Sequence, residues 1–223
     1  MVMPHPVTAG LSTPPIPQRM LALYRNRAAH YDLELTGFEM LRQACIARLD
    51  LQPGERVLDM GCGTGLSLPT LARLVGPEGR VLGVDQSAAM LAEARERVKR
   101  EGLTQVRLKQ AAAAEAPLHG RYDAALFVFT HDILQQPEAL AHIAAHLKPG
   151  ARIAATGLAW AQPWAPWALA SNCFVMGAAL YSVASLQGLG EPWQLLRGIA
   201  PDLQLLPQLP GGFYLAWGHY AGG

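Results

Sequence analysis

The nine residues VLDMGCGTG (57–65) constrain the fold of this chain more than any other feature. A short apolar run is followed by glycines at three alternate positions, Gly61, Gly63 and Gly65. A strand that ends in such a turn and leads into a helix is typical of a nucleotide-binding βαβ unit. The turn therefore predicts an α/β fold whose ligands bind at the carboxyl ends of parallel strands.

The residues after Pro53-Gly54 continue this alternation of strands and helices. Helices are predicted at 66–75, 88–100 and 137–147, with Ser87 as the N-cap of the second. Strands are predicted at 56–60, 80–84, 106–109, 122–129 and 152–156, and a final hairpin at 203–206 and 213–220. The rhythm predicts a doubly wound, Rossmann-like, seven-stranded sheet, mostly parallel with a C-terminal antiparallel strand, and helices on both faces.

The length of 223 residues suits one domain. Residues 1–18 are rich in proline and predict a flexible arm, so the domain is expected to span 19–223. Within it, residues 19–50 predict a helical cap, in which Met40, Leu41, Cys45 and Leu49 recur at helical spacing. Residues 158–198 predict a tryptophan-rich insertion that covers the substrate.

Composition excludes several classes of function. The net charge of +1 gives no general attraction to nucleic acid or anionic membranes. The three cysteines lie far apart, which argues against a zinc site or a disulfide framework and favours a reducing, cytoplasmic location. The N-terminus lacks the pattern of a signal peptide. Residues 168–186 are uncharged, but polar residues dilute them, and a buried or substrate-covering helix is favoured over a membrane span.

Asp59 decides which ligand the glycine turn suits. A dinucleotide site needs GxGxxG, whereas here the third glycine comes one residue early and Leu66 follows it. A carboxylate about 4 Å from a pyrophosphate costs on the order of a few kcal/mol at an effective dielectric near 20. S-adenosylmethionine carries an α-ammonium and a sulfonium but no phosphate, so Asp59 can hold the ammonium, directly or through water.

A second acid follows the next predicted strand. Asp85 ends the segment VLGVD, and a carboxylate there can accept hydrogen bonds from both ribose hydroxyls. Dinucleotide and S-adenosylmethionine sites share this acid, so only its combination with Asp59 favours the sulfonium cofactor. The alternative is that Asp59 caps a turn and Asp85 caps the following helix.

Four segments resemble class I S-adenosylmethionine-dependent methyltransferases: VLDMGCGTG, VLGVDQSAAMLAEAR, YDAALFVFTHDI and LKPGARI. The resemblance is to the group that includes ubiquinone/menaquinone C-methyltransferases and phospholipid N-methyltransferases. It implies S-adenosyl-L-methionine as cofactor and S-adenosyl-L-homocysteine as product. RNRAAHYD resembles a cofactor-covering helix of that group. The cofactor contacts implied are Tyr24, Tyr31, Asp59, Gly61, Cys62, Gly63, Gly65, Asp85, Gln86, Met90, Ala113, Ala114 and Phe129.

One position departs from the family pattern. The family usually has an acid after the third strand that binds the adenine amino group, and Ala113 stands there in the stretch AAAAEAP. The contact is then expected from elsewhere, for example Glu115, or to be missing, while backbone amides near Ala113 and Ala114 can still meet the ring. We expect weaker or differently posed cofactor binding.

His131 is the leading candidate for a general base, because it follows the fourth predicted strand and stands beside Asp132. The alternative is a structural histidine. His30 and Tyr31 are further catalytic candidates.

The predicted insertion is apolar and aromatic, and indicates a bulky apolar or aromatic acceptor contacting Trp160, Trp164, Trp167 and Phe174. Tryptophan faces could also bind a cationic amine, and the same residues could instead form core or a homodimer interface. A nucleic-acid substrate is disfavoured because no basic track is present. The alternatives to a small-molecule methyltransferase are a lipid or quinone methyltransferase at a membrane surface and a non-catalytic cofactor-binding domain.

Overall fold

The computed structural model of the chain describes residues 38–162, 164–182, 186, 188–209 and 212–222. The predicted arm at 1–18 and the predicted cap as far as residue 37 lie outside these residues.

Seven strands form one sheet with the order β3-β2-β1-β4-β5-β7-β6. The first five are parallel to one another, and β7 runs antiparallel to both of its neighbours. The predicted sheet, with its C-terminal antiparallel strand, is therefore confirmed. The strands are β1 (Arg56–Met60), β2 (Arg80–Asp85), β3 (Val106–Gln110), β4 (Tyr122–Val128), β5 (Leu147–Leu158), β6 (Gln204–Leu209) and β7 (Phe213–His219).

Six α-helices and two 3₁₀ turns are described around this sheet. The helices are α1 (Glu39–Ala47), α2 (Leu68–Val75), α3 (Ala88–Arg100), α4 (His131–Leu134), α5 (Pro137–Ala144) and α6 (Ala168–Ser182). The 3₁₀ turns cover Ala113–Glu115 and Gln194–Gly198.

Local sequence signals account for the boundaries of several elements. The hydroxyl of Ser87 accepts a hydrogen bond from the Met90 N–H at 3.3 Å, which confirms the predicted N-cap of α3. Pro137 begins α5, where its missing N–H costs nothing. Strand β5 begins at Leu147, earlier than the predicted residue 152, because Leu147 pairs with Tyr122 before the register shifts and Arg152 pairs with Ala124.

The core lies on both faces of the sheet. In β1, Val57 packs into the cluster that includes Leu71 and Leu91, while Leu58 packs into the cluster on the other face. This alternation follows from the two-residue repeat of a strand. In a parallel sheet of this kind, ligands usually bind at the carboxyl ends of the strands.

One expectation about the first helix needs correction. Met40 was expected on the apolar face of α1, but it is 86% exposed, and Arg42 is buried there instead with 6% exposure. The uncharged segment at 168–186 contains α6 (Ala168–Ser182). Of the helices in the part of the chain that the structure describes, none has the length and apolarity needed to cross a bilayer.

Candidate functional site

A crevice lies at the carboxyl ends of β1, β2 and β4, where the sequence predicts the ligand site. It brings together nine residues that the sequence analysis selects: Asp59, Gly61, Cys62, Gly63, Asp85, Gln86, Met90, Phe129 and His131. Two further lining residues, Thr130 and Asp132, flank His131 in the sequence. The remaining lining residues were not predicted as ligand contacts: Arg42, Thr64, Leu66, Ser67, Ser87, Val128 and Ile133.

Asp59 is the most deeply placed charge in the crevice. Its side chain is 2% exposed, and Oδ2 has no hydrogen-bond partner among the described residues. Burial and the nearby Asp85 raise the pKa of Asp59 to about 7, while Arg42 acts in the opposite direction. A buried carboxylate oxygen that lacks a partner among the described residues is a place where a ligand can supply one.

Arg42 brings a positive charge into the same crevice from α1. It is buried, forms an ion pair with Glu39 one helical turn earlier and lowers the pKa of Asp59. The sequence offered one signal for it, because Arg42 lies three residues before Cys45 and four before Ile46, on the face that the helix buries. Only the packing of α1 over the strand ends shows that this face meets the crevice.

Asp85 is held by the backbone on both sides of the crevice. Its Oδ1 accepts the Ser87 N–H at 2.8 Å, and its Oδ2 accepts the Gly63 N–H at 2.9 Å. Burial raises the pKa of Asp85, and these two hydrogen bonds oppose the rise. Each carboxylate oxygen can accept a second hydrogen bond, so Asp85 can still receive two ligand hydroxyls.

The glycines of the turn have different roles. Gly63 has a positive φ of +55°, and a Cβ placed there would meet no atom within 4 Å, so the backbone leaves open space for a ligand. Gly65 does not line the crevice; a Cβ there would come within 2.7 Å of Leu68 and 3.2 Å of Ala94. Gly65 thus permits the close approach of α3 to the turn.

Cys62 lines the crevice and is buried. Burial raises the pKa of the Cys62 thiol well above its usual value, so the thiol stays protonated and is no nucleophile at neutral pH.

Ala113 is 7% exposed and packs in the core cluster with Leu82 and Val84 rather than on the crevice wall, and Ala114 packs against that cluster. Glu115, the suggested substitute for the missing acid, is exposed.

Thr130 and His131 form the crevice wall after β4. His131 begins the short helix α4, and both side chains are buried, with 9% and 8% exposure. The hydroxyl oxygen of Thr130 has no hydrogen-bond partner among the described residues. A buried hydroxyl and an imidazole on one wall can together orient a polar group of a ligand and accept a proton from it.

An aromatic cluster extends from the crevice toward α6. Phe129 lines the crevice, and its ring centroid lies 5.5 Å from Phe38 and 6.3 Å from Phe213. Phe174 of α6 continues the cluster, 5.9 Å from Phe213. Phe129 also has a φ of +56°, an uncommon conformation for a residue with a side chain.

The aromatic residues of the predicted cover divide into two groups. Trp160 packs against the cluster that contains Phe213, whereas Trp164 and Trp167 are 75% and 44% exposed. Neither group reaches the crevice wall in the described residues. Tyr24, His30 and Tyr31 lie outside the described residues.

The charges of the crevice fit S-adenosylmethionine. Asp59 and Asp85 are two carboxylates on one wall, which disfavours a pyrophosphate and favours a ligand with an ammonium and hydroxyl groups. The unpartnered Oδ2 of Asp59 matches the ammonium, and the buried Arg42 matches a carboxylate. The open space at Gly63 matches a ligand that passes close to the backbone.

Comparisons with known proteins agree with this site. Residues 57–150 match the family model Methyltransf_25, described as "Methyltransferase domain". A demethylmenaquinone methyltransferase of Geobacillus stearothermophilus is 34% identical over 105 residues, which cover 45% of each chain. The first curated relatives are matched over less than half of their own length.

Solved structures share the fold at low sequence identity. A SAM-dependent methyltransferase from Aquifex aeolicus has a TM-score of 0.61 and 20% identity, over 80% of this chain and 89% of that one. A Haemonchus contortus "Phospholethanolamine N-methyltransferase 2", solved with S-adenosylhomocysteine, has a TM-score of 0.64 and 16% identity, over 82% of this chain and 52% of that one.

The sheet order and the acid-lined crevice define a Rossmann-like domain for a positively charged nucleoside cofactor. Residues 57–150 match the model of a methyltransferase domain, and the strand order and the crevice agree with the class I S-adenosylmethionine-dependent methyltransferases that the sequence resembles. The predicted class, fold and cofactor are therefore confirmed.

Proposed function

We propose that the protein transfers a methyl group from S-adenosylmethionine to an oxygen, nitrogen or carbon atom of an apolar or aromatic small molecule. The observation that carries the proposal is the buried Asp59, whose Oδ2 is unpartnered among the described residues and lies in the same crevice as Asp85. Two carboxylates in one crevice lower the stability of the unliganded protein, and a positively charged ligand offsets that loss.

Four parts of the crevice would hold the cofactor. Asp59 would bind the ammonium, and Asp85 would accept hydrogen bonds from the ribose hydroxyls. Arg42 and the N–H groups at the start of α2 would bind the carboxylate. Met90, which is buried on the crevice wall, would contact the adenine. When bound, the cofactor supplies a methyl group on a positively charged sulfur, which makes that methyl electrophilic.

The residues of the chain would position the acceptor and accept a proton from it. The crevice walls orient the acceptor and exclude water, which accounts for much of the rate gain in displacement reactions. His131 would accept a proton from a hydroxyl, phenol or activated carbon of the acceptor, with the Thr130 hydroxyl as a second polar contact. Both side chains line the crevice and belong to the same wall.

The aromatic cluster supports an apolar acceptor. Phe129 lines the crevice, and Phe38, Phe213 and Phe174 continue from it at centroid distances between 5.1 and 6.3 Å. A continuous aromatic wall offers dispersion and edge-to-face contacts and no charged partner. Phenols, quinols and apolar amines fit such a wall better than sugars or nucleotides.

The proposal is tested by incubating the purified chain with S-adenosylmethionine and a panel of phenols, quinols and amines. We expect S-adenosylhomocysteine to form with at least one apolar acceptor and at least 100-fold more slowly in Asp59→Ala. Binding of S-adenosylhomocysteine with no turnover on any acceptor would favour the alternative, a non-catalytic cofactor-binding domain.

A second candidate, a quinone or lipid methyltransferase at a membrane surface, is favoured by one specific observation. Apolar residues on and before α6 are exposed, among them Leu169 at 81% and Trp164 at 75%. The similarity to a demethylmenaquinone methyltransferase is compatible with this reading. Flotation with liposomes discriminates the two, because a surface enzyme would float with them and Trp164→Ser/Leu169→Ser would release it.

A further inference from the structure

A second cavity lies along the face of β1, β2 and β3, toward the amino ends of β1 and β2 and thus away from the cofactor crevice. It has a volume of about 520 Å³, within the range of small-molecule pockets. Arg56 is the first residue of β1, and Arg80 is the first residue of β2. The cavity shares no lining residue with the cofactor crevice.

The strand register brings four cations to this cavity. Arg56 pairs with Arg80 across β1 and β2, while Arg107 and Lys109 of β3 stand beside Leu82 and Val84 of β2. Neighbouring strands lie about 4.8 Å apart, and residues in register or two apart share a face. The cations therefore share one face of three strands, in a row that runs diagonally from Arg56 and Arg80 to Arg107 and Lys109. Glu78 is the one acidic residue among the cavity's lining residues.

This local excess of positive charge is not neutralised by the residues that the structure describes. None of the four cations forms an ion pair with a described residue. Glu55, the neighbour of Arg56 in the chain, pairs with Arg152. Asp123, which accepts the backbone N–H of Arg56, pairs with Lys148. The whole chain carries a net charge of only +1, so the row is a local feature rather than a general basic surface.

The arginine groups are held in position. Nη2 of Arg56 donates a hydrogen bond to the His119 carbonyl at 2.6 Å, and its guanidinium lies 4.8 Å from the ring centroid of Tyr122. Nη1 of Arg107 donates to the Thr104 carbonyl at 2.9 Å. A guanidinium has five N–H donors, so each of these groups keeps donors for an anion.

The floor of the cavity is apolar. Leu82 and Tyr122 are buried beneath it, and Pro117 comes from the connection between β3 and β4. That connection spans only residues 111–121 and contains one 3₁₀ turn, Ala113–Glu115, so it places no α-helix over this face. The cavity remains open above an apolar floor with a cationic rim.

We propose that this cavity binds a small anionic ligand in which a phosphate group is joined to an apolar or aromatic body. The arginine row provides paired N–H donors that match phosphate oxygens, and the floor of Leu82, Tyr122 and Pro117 accommodates the body. The site is separate from the cofactor crevice and does not depend on methyl transfer.

Isothermal titration with 1-naphthyl phosphate, inorganic phosphate and 1-naphthol tests the proposal. We expect saturable binding of 1-naphthyl phosphate that is at least tenfold tighter than binding of either half alone. The double variant Arg80→Glu/Arg107→Glu should weaken binding of 1-naphthyl phosphate at least tenfold. The double variant Arg80→Ala/Arg107→Ala should also weaken this binding. The matched control is Arg95→Glu/Lys99→Glu, which makes the same change of charge on exposed positions of α3, across the sheet, and should change the affinity less than twofold.

S-adenosylhomocysteine is titrated in parallel and should bind every variant as it binds the wild type, which shows that the fold is intact. This titration also separates the two proposals, because loss of the phosphate site leaves cofactor binding unchanged. No saturable binding of 1-naphthyl phosphate, or an equal loss in the α3 control, would overturn the proposal. Binding of a single-stranded RNA oligonucleotide without 1-naphthyl phosphate would overturn it as well, because it would indicate a surface for an extended polyanion.

Discussion

The backbone N–H of Gly63 donates a hydrogen bond to Oδ2 of Asp85 at 2.9 Å and so joins the glycine turn after β1 to the end of β2. The other oxygen of Asp85 accepts the Ser87 N–H at the start of α3. Asp85 therefore fixes the shape of the crevice before any ligand enters it. An acid that the sequence suggests for ribose binding also stabilises the turn that faces it.

Replacing Asp85 by asparagine should affect both stability and binding. An asparagine has one acceptor oxygen, so either Gly63 or Ser87 loses the partner of its N–H, at a cost of about 1–3 kcal/mol. We expect the free energy of unfolding in urea, without ligand, to fall by about that amount. We expect S-adenosylhomocysteine to bind at least tenfold more weakly. Glu93→Gln on the exposed side of α3 is the matched control, and equal unfolding curves for Asp85→Asn and wild type would contradict the prediction.

Binding of S-adenosylhomocysteine should strengthen as the pH rises toward 7. The pKa of Asp59 is raised to about 7, mainly by burial and then by Asp85, and the ligand's ammonium requires the ionised form. Below that pKa a proton must leave Asp59 before binding, so the affinity rises with pH and levels off above about 7. Calorimetric titrations between pH 5.5 and 8.5 measure this dependence. Asp59→Asn should bind more weakly with a flatter profile, and an unchanged profile would count against the role of Asp59.

The same group should make the unliganded protein less stable as the pH rises. The pKa of Asp59 in the folded chain lies above its ordinary value of 3.8, so the folded state binds more protons between pH 4 and pH 7. The contribution of Asp59 to the free energy of unfolding therefore falls through that window and is constant above it. Urea unfolding at pH 5 and pH 7.5 should show the wild type losing stability relative to Asp59→Asn. A constant difference between the two proteins would contradict this.

A feature of this structure could be predicted from the sequence where its signal lies in neighbouring residues, and could not where tertiary packing determines it. The glycine turn, Asp85 and the Ser87 cap were predictable because each signal lies within a few neighbouring residues. Arg42 was missed because a count of apolar spacing treats an arginine as solvent-facing, and only the docking of α1 makes it a crevice residue. The positive φ of Phe129 has no sequence signal, because the surrounding strands and helix impose it.

The cationic cavity was missed for a related reason. Arg56, Arg80 and Arg107 are separated by more than twenty residues in the chain, and each looks like an isolated charge at or near the start of a strand. Their alignment depends on the register of three parallel strands, which the sequence does not show. Non-local pairing is the part of a fold that local propensity determines least.

Arg42 should discriminate between ligands with and without a carboxylate. If its guanidinium binds the cofactor's carboxylate, Arg42→Gln loses a charged hydrogen bond of about 1.5–3 kcal/mol, or roughly 10–150-fold in affinity for S-adenosylhomocysteine. 5′-Methylthioadenosine has the same nucleoside but no carboxylate, and its affinity should change less than threefold. Calorimetry with both ligands measures the two effects. Because 5′-methylthioadenosine reports an intact site, an equal loss of both ligands would indicate that Arg42 acts only through packing.

Ala113 allows a test of how the adenine is recognised. Its side chain is 7% exposed and packs with Leu82 and Val84, so Ala113→Asp buries a carboxylate and should lower the melting temperature of the unliganded protein. If the adenine amino group can reach this carboxylate, S-adenosylhomocysteine recovers part of the loss. The ligand-induced rise in melting temperature should then be larger in Ala113→Asp than in Ala113→Asn, which has the same shape without the charge. Equal rises in the two variants would show that residue 113 does not face the adenine, in agreement with its place in the core rather than with the family pattern.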